Sequence, residues 1–176
     1  MPAIVAVTRF KQASSNVFSG YINYIDRSEA TRNNNIEKFN MFGSYMDYMD
    51  DEEKTISIQE KKIEAVSSLF TADTDKVTED DKKSLKNVFR TAQENGSNLW
   101  QTVISFENDY LETLGIYDSK TGSLNEKQLI QAARVSVIKM LENEKMTNAV
   151  WSAAIHYNTD NVHIHVAITE PFPSKG

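Results

Sequence analysis

The periods of hydrophobic and polar positions along the chain predict four strands and four helices. Residues 3–10 are a short β-branched apolar run, which is typical of a strand buried on both faces. β-branched and aromatic content predicts further strands at residues 98–106, 148–157 and 161–169. Apolar residues at helical spacing predict helices at residues 14–27, 57–70, 78–96 and 123–144. Residues 33–55 have no clean period, which predicts a loop or irregular lid, and the whole order of elements favours an α+β sandwich with an antiparallel sheet.

Polar residues and a glycine mark the ends of three of these helices. Ser14 or Ser15 can cap the start of the first helix. Thr78 can cap the start of the third helix, which ends at Gly96. At the start of the last helix, Ser123 stands three residues before a glutamate, which is the spacing of a capping box.

Composition limits the class of protein. With 176 residues, of which 40% are hydrophobic and 25% charged, the chain fits one soluble globular domain over residues 1–176. It has no run near the roughly 18 apolar residues that a membrane helix needs and no secretory signal at its start, so a cytoplasmic location without membrane insertion is expected. The absence of cysteine excludes disulfides and cysteine zinc sites, so a metal would need histidine, carboxylate or backbone ligands.

The net charge of −6 argues against a general binder of polyanions, because proteins that grip phosphates normally carry a basic surface. The charge is unevenly spread. Residues 47–81 hold twelve acidic residues against four lysines, whereas residues 1–40 hold five basic residues against three acidic ones. We interpret the acidic stretch as a solvated face, which leaves room for a local basic surface near the N-terminus.

All three histidines of the chain stand within ten residues, in the segment HYNTDNVHIH. If residues 158–161, all turn formers, are the loop of a hairpin, then His156 lies opposite His163, and His165 returns to the same face. Directly opposed Cβ atoms lie about 4.5–5.5 Å apart, so the three rings can converge on one metal ion at about 2.0–2.2 Å per nitrogen. Three neutral imidazoles with no fourth protein ligand in view leave coordination positions open, which is typical of a catalytic metal site.

The stretch HYNTDNVHIHVAI resembles the third motif of conjugative relaxases, the HUH endonucleases whose three metal-binding histidines follow an H-x6-H-x-H pattern; His156, His163 and His165 fit that spacing. Near the N-terminus, FSGYINYIDRSEA resembles the tyrosine motif of the MOBP-type relaxases and especially of their MobL branch, and GSNLWQTVISFEND resembles that branch's connecting region. The resemblance covers nearly the whole chain. It implies the permuted HUH-endonuclease fold, with an antiparallel sheet of about five strands, helices on one side, and the tyrosine before the histidines.

The resemblance also implies an activity. A relaxase nicks and rejoins one DNA strand at a plasmid or conjugative-element transfer origin: a tyrosine oxygen attacks a phosphodiester of single-stranded DNA and leaves a 5′-phosphotyrosine and a free 3′-hydroxyl. Tyr24 matches the family's nucleophile position best, and Tyr21, one helical turn earlier, is the alternative. The implied cofactor is a divalent metal ion, for which three imidazoles favour Mn2+ and cellular abundance favours Mg2+. The implied partners are single-stranded DNA, accessory relaxosome proteins and a coupling protein.

Five further residues are weaker candidates. Glu107 and Asp160 could each accept a hydrogen bond from the second N–H of a ligand ring, although ordinary surface carboxylates are the alternative interpretation. Three basic residues could line a DNA channel, and exposed salt bridges would explain them equally well: Arg9, Lys11 and Arg27.

Other interpretations stay open. HIHVAITE also fits the H-x-H-x4-E motif of cupin oxygenases, with Glu170 as a ligand, but Tyr157 stands where that motif has a glycine, and its further downstream histidine is absent from the sequence. A non-catalytic DNA-binding module whose metal orders the fold would need no nucleophile. A replication-initiator HUH nuclease would share the chemistry, but such enzymes usually place the histidines before the tyrosine. Because only eleven residues follow His165, we expect the N-terminal part of a longer protein.

Overall fold

A computed structural model of the chain describes residues 3–27, 68–157 and 160–174. In chain order the elements are β1 (Ile4–Lys11), α1 (Phe18–Ile25), α2 (Glu79–Glu94), β2 (Leu99–Phe106), α3 (Asn108–Thr113), β3 (Tyr117–Asp118), β4 (Ser123–Leu124), α4 (Glu126–Asn143), β5 (Val150–His156) and β6 (His163–Thr169). Within the described ranges, no helix combines the length and the apolar character needed to cross a bilayer.

The four long strands form one antiparallel sheet in the order β1-β2-β6-β5. The short strands β3 and β4 form a separate two-stranded hairpin. The predicted α+β architecture with a central antiparallel sheet is therefore confirmed. The described residues supply four strands to that sheet, where about five were expected. The last strand, β6, lies between β2 and β5, and all seven of its residues are buried.

Helices pack on both faces of the sheet, which corrects the expectation of helices on one side. On one face, Ile164, Val166 and Ile168 of β6 form a core with the apolar residues of α4. On the other face, α1 and α2 form a second core over Ala154 and Ala167. Because side chains alternate along a strand, the residues of β6 between its isoleucines and valine point to the face of α1. The helix with the tyrosines therefore covers the face with the histidines.

The expectation that residues 3–10 form a strand buried on both faces is wrong. β1 is a strand, but it lies at the edge of the sheet, and all eight of its residues are exposed. Even its large apolar side chains are accessible, with Ile4 46% and Phe10 54% exposed. A run of β-branched residues predicts the extended backbone, whereas burial depends on whether another element covers that strand.

Two of the predicted helix starts are wrong and one is confirmed. Thr78 caps α2, because its hydroxyl oxygen accepts a hydrogen bond from the backbone N–H of Asp81 at 3.1 Å. α4 begins after Asn125, whose side chain accepts from a backbone N–H in the first turn, and Ser123 lies in β4 instead of a capping box. α1 begins after Val17 without a side-chain cap. The two serines proposed for that role lie in a short 3-10 helix, Ala13–Ser15.

The predicted loop at residues 33–55 and most of the predicted helix at residues 57–70 lie outside the described residues. The described end of that helix is not helical: Phe70 instead forms an isolated bridge to β5, with two backbone hydrogen bonds to Ala153 of 2.8 and 2.9 Å. Helix α3 and the β3–β4 hairpin were not predicted. Elements of two to six residues are too short to show a period.

Candidate active site

The three histidines lie on the β5–β6 hairpin and face α1. His156 pairs directly with His163 across the ladder, and His165 pairs with Ala154 two rungs further along, on the same face. The predicted convergence of the three rings on one face is therefore confirmed. Ile164 lies between the two histidines of β6 and is buried in the core on the opposite face, which fixes the orientation of the strand.

The three imidazoles are close enough to share one ion. Their ring centroids are 5.3 Å apart for His156 and His163, 5.1 Å for His163 and His165, and 4.2 Å for His156 and His165. One ligand nitrogen from each ring lies within 4.8 Å of the other two. Nitrogens that each bind one ion at about 2.0–2.1 Å lie at most roughly 4 Å apart, so small side-chain adjustments would complete such a site.

Hydrogen bonds to backbone carbonyls set the tautomers of two rings. Nε2 of His156 lies 2.6 Å from the carbonyl oxygen of Ile25, and Nδ1 of His163 lies 3.1 Å from that of Asn161. A carbonyl only accepts, so each of these nitrogens carries the proton, and the lone pair is on Nδ1 of His156 and on Nε2 of His163. In the part of the chain that the structure describes, Nδ1 of His156 and Nδ1 of His165 are buried and have no hydrogen-bond partner.

Burial keeps His156 and His165 neutral at physiological pH. Desolvation by burial lowers the pKa of His156 to about 4, even though the hydrogen bond to Ile25 opposes the shift. The pKa of His165 falls to about 3, again mainly through burial and further through the neighbouring histidines. Neutral imidazole is the form that binds metals, so neither of these two rings needs to lose a proton before it binds a metal ion at pH 7. Partnerless buried nitrogens are costly in a folded protein, and a metal ion would satisfy them.

Tyr24 lies beside this cluster, in the last turn of α1. Its ring meets that of His165 edge-on, with 5.9 Å between centroids, and its side chain is 47% exposed. The guanidinium of Arg27 lies over the Tyr24 ring at 4.1 Å and donates to the Tyr24 carbonyl oxygen at 3.0 Å. The ring of Tyr21 stacks on that of Tyr24, with 5.5 Å between their centroids. Burial raises the pKa of Tyr21 well above the ordinary value for a phenol.

A groove of 810 Å³ opens from His165 and Tyr24 across the uncovered half of the sheet. Its floor is formed by rungs of paired residues from β1 and β2. Val7 and Val103 share the rung of His165. Arg9 and Gln101 lie two rungs further on, and Lys11 lies two rungs beyond them, all on the same face. The basic candidates Arg9 and Lys11 therefore lie in one groove with the histidine cluster. Gln101 and Val103 were not predicted as groove residues. Only the pairing of β2 with β1 shows that they line the same groove.

Glu107 lies between β2 and α3, and Asp160 lies in the connection between β5 and β6. Glu107 precedes the first turn of α3, and its backbone N–H donates to the carbonyl oxygen of Ala3 at 2.9 Å. The carbonyl oxygen of Asp160 accepts from the side chain of Asn108 at 2.8 Å. Their role as partners of ligand rings stays a prediction. The ring acceptors at Ile25 and Asn161 were not predicted, because any residue offers a backbone carbonyl and leaves no signal in the sequence.

Glu170, the ligand that a cupin site would use, is not part of the cluster. Within the described ranges, the group of residues that could hold a metal consists of the three histidines. The carboxylate of Glu170 instead accepts a hydrogen bond from the hydroxyl of Ser174 at 3.1 Å. Among the described residues, β1 pairs with β2 alone and forms an edge of the sheet, whereas a barrel would pair this strand on both sides.

A family model described as MobL relaxases matches residues 1–176, which is the whole chain. No curated protein and no solved structure gives a significant match to the chain.

Proposed function

The chain belongs to the MobL relaxase family, and from this premise we propose that it nicks and rejoins one DNA strand at a transfer origin by attack of Tyr24 on a phosphodiester. One observation carries the proposal. An exposed tyrosine lies edge-on to His165 of a three-histidine cluster, at the end of a groove that also holds two basic side chains. This arrangement brings a nucleophile, a metal-binding group and a path for a nucleic-acid strand together.

Tyr24 is a better nucleophile than Tyr21 for two reasons. Both tyrosines line the groove, but Tyr24 is 47% exposed, whereas Tyr21 packs partly against the core beneath α1. A phenol must lose its proton to attack phosphorus, and burial raises the pKa of Tyr21, which disfavours that loss. Tyr21 instead supports the ring of Tyr24 by stacking.

The donors of the cluster fit a divalent metal ion, Mn2+ or Mg2+. Lone pairs on Nδ1 of His156 and Nε2 of His163 follow from their carbonyl partners, and Nδ1 of His165 is buried without a hydrogen-bond partner among the described residues. When bound, the ion would act as a Lewis acid toward non-bridging oxygens of the phosphate. Three imidazole nitrogens favour Mn2+ in a binding measurement, because Mg2+ prefers oxygen ligands and dehydrates reluctantly.

In the proposed step, the phenolic oxygen of Tyr24 forms a bond to phosphorus while the bond between phosphorus and the 3′-oxygen breaks in line. The phenol proton passes to solvent, and the departing 3′-oxygen takes up a proton. One phosphate ester replaces another, so the reverse attack by the 3′-hydroxyl rejoins the strand. Arg27 would hold the Tyr24 ring through its stacked guanidinium and donate N–H groups to the phosphate.

The rungs of the sheet suggest how a strand would lie in the groove. At about 3.3 Å per residue, Arg9 lies roughly 7 Å and Lys11 roughly 13 Å beyond the rung of His165. Two basic side chains at these intervals can neutralise successive phosphates, while Val7 and Val103 offer an apolar surface to a base near the reacting bond. A local basic groove of this kind is compatible with an overall charge of −6, because contacts with phosphates act over short distances in salt.

The test is covalent capture. The protein is incubated with Mn2+ and labelled single-stranded oligonucleotides from candidate transfer origins, and adducts are separated on a denaturing gel. We expect a denaturant-resistant adduct with the wild type and with Tyr21→Phe, and no adduct with Tyr24→Phe or His163→Ala. An adduct that survives in Tyr24→Phe but not in Tyr21→Phe would reassign the nucleophile. Metal and DNA binding without an adduct at any origin would favour the non-catalytic module.

A further inference from the structure

A buried ion pair fastens the end of α1 to the rest of the fold. Asp26 follows the last residue of α1, and its side chain is 3% exposed. One carboxylate oxygen accepts two hydrogen bonds of 2.7 Å, from the backbone N–H and the hydroxyl of Ser68. The other accepts from the ammonium group of Lys82 on α2, which is 15% exposed. The carboxylate thus joins three segments of the chain.

The residues beside Asp26 all contact the candidate active site. Ile25 supplies the carbonyl that accepts from Nε2 of His156, and Tyr24 meets His165 edge-on. Arg27 stacks over the Tyr24 ring. Four consecutive residues therefore provide the candidate nucleophile, the acceptor that orients a ligand ring, a buried anchor and a cation. A displacement of this turn would move all of these groups relative to β5.

Resting on the proposed function, we infer that Asp26 is a positioning residue of the relaxase site. Its ion pair with Lys82 fixes the turn that orients His156 as a metal ligand and presents Tyr24 to the groove. Stability alone is a weak reason for such a pair, because the cost of removing two charges from water largely offsets their attraction. A site that holds a metal-ligand ring and a nucleophile in register needs a fixed turn, and this need gives a reason for the ion pair.

The chain offers a control in a second ion pair, whose arginine is buried and whose aspartate is 53% exposed. Arg134 on α4 is buried, forms an ion pair with Asp75 at 2.7 Å, and donates from Nε to the carbonyl oxygen of Thr71 at 2.9 Å. This pair also joins a helix to a loop. It involves the helix on the opposite face of the sheet from the histidines. Asp75→Asn therefore removes an ion pair without touching the turn that carries Tyr24.

The experiment compares Mn2+ affinity, measured by calorimetry on metal-free protein, with cleavage kinetics and urea stability. Asp26→Asn retains an acceptor for Ser68 but loses the attraction to Lys82. We expect Mn2+ to bind about tenfold more weakly, the lower end of the range for loss of a group that orients a ligand. We also expect kcat of single-strand cleavage to fall at least tenfold, while KM for DNA changes less than twofold because the groove is intact. Asp75→Asn should keep the wild-type Mn2+ affinity and kcat.

The double variant Asp26→Asn with Lys82→Met guards against simple unfolding, because it removes the unpaired ammonium group that the single variant leaves buried. Its Mn2+ affinity should stay low even where its urea stability returns to that of the wild type. If this variant and Asp26→Asn both keep the Mn2+ affinity and the kcat of the wild type, the inference is overturned and the proposed function still stands. A wild-type protein that neither binds Mn2+ nor forms an adduct would overturn the proposed function itself.

Discussion

Acid should destabilise the metal-free protein through two buried histidines. Burial lowers the pKa of His156 to about 4 and that of His165 to about 3, from an ordinary value of 6.5. Below pH 6.5 the unfolded chain takes up protons that the folded chain does not bind, so the free energy of unfolding falls as the pH falls. Both folded pKa values lie below 5. The loss between pH 7 and pH 5 therefore depends only on the unfolded value.

The magnitude follows from about 1.36 kcal/mol per pH unit for each histidine over the roughly 1.5 units from pH 6.5 to pH 5. Each ring should cost about 2 kcal/mol and the pair about 4 kcal/mol, against a typical total stability of about 5–15 kcal/mol. The assay is urea unfolding at pH 7, 6 and 5 in EDTA, followed by tryptophan fluorescence. His165→Asn removes one of the two buried imidazoles, so it should show about half of the histidine-dependent loss. The carboxylates are the same in this variant and in the wild type, so the difference between the two proteins reports the histidine.

A double variant, His156→Asn with His165→Asn, gives the reference for all other groups that titrate in this range. Between pH 7 and pH 5, the free energy of unfolding should fall by about 4 kcal/mol more in the wild type than in this variant. A difference below about 1 kcal/mol would show that burial does not keep the two imidazoles neutral. Saturating Mn2+ should raise the free energy of unfolding of the wild type without changing this slope near pH 6, because the two buried rings are already neutral in the folded protein and the metal displaces no proton from them there.

Three further predictions concern the groove, the metal and the core. Arg9→Gln and Lys11→Gln should each reduce the slope of log affinity for single-stranded DNA against log salt by about 0.7, measured by fluorescence anisotropy; an unchanged slope would remove that side chain from the phosphate path. In a thermal-shift assay, Mn2+ at about 100 times its Kd should add about 2.7 kcal/mol to the free energy of unfolding of the wild type and nothing to that of His163→Ala. Equal stabilisation of the two proteins would mean that the ion binds elsewhere. Ile164 is fully buried, so Ile164→Ala should cost about 2–5 kcal/mol in urea unfolding, whereas loss of a helix cap in Thr78→Ala should cost about 1 kcal/mol. Similar losses in these two variants would contradict the assignment of Ile164 to the core.

The local sequence determined the part of the site that lies on one hairpin. Strict alternation in β6 sets the valine and isoleucines against one core and His163 and His165 toward the other face, and the turn before them brings His156 opposite His163. Both relations depend on neighbours within ten residues. The same holds for the start of α2, where Thr78 and the N–H that it caps are three residues apart.

Only the tertiary structure decided which groups surround the hairpin. The acceptor for His156 is a backbone carbonyl 131 residues away, and Asp26 finds its cation 56 residues along the chain. The exposure of β1 likewise depends on its place at the edge of the sheet and not on its own apolar run. Periodicity records the environment that each residue needs, but it cannot specify which distant segment provides that environment. The histidines were therefore readable from the sequence, whereas the groove, the ring acceptor and the anchored turn required the packed fold.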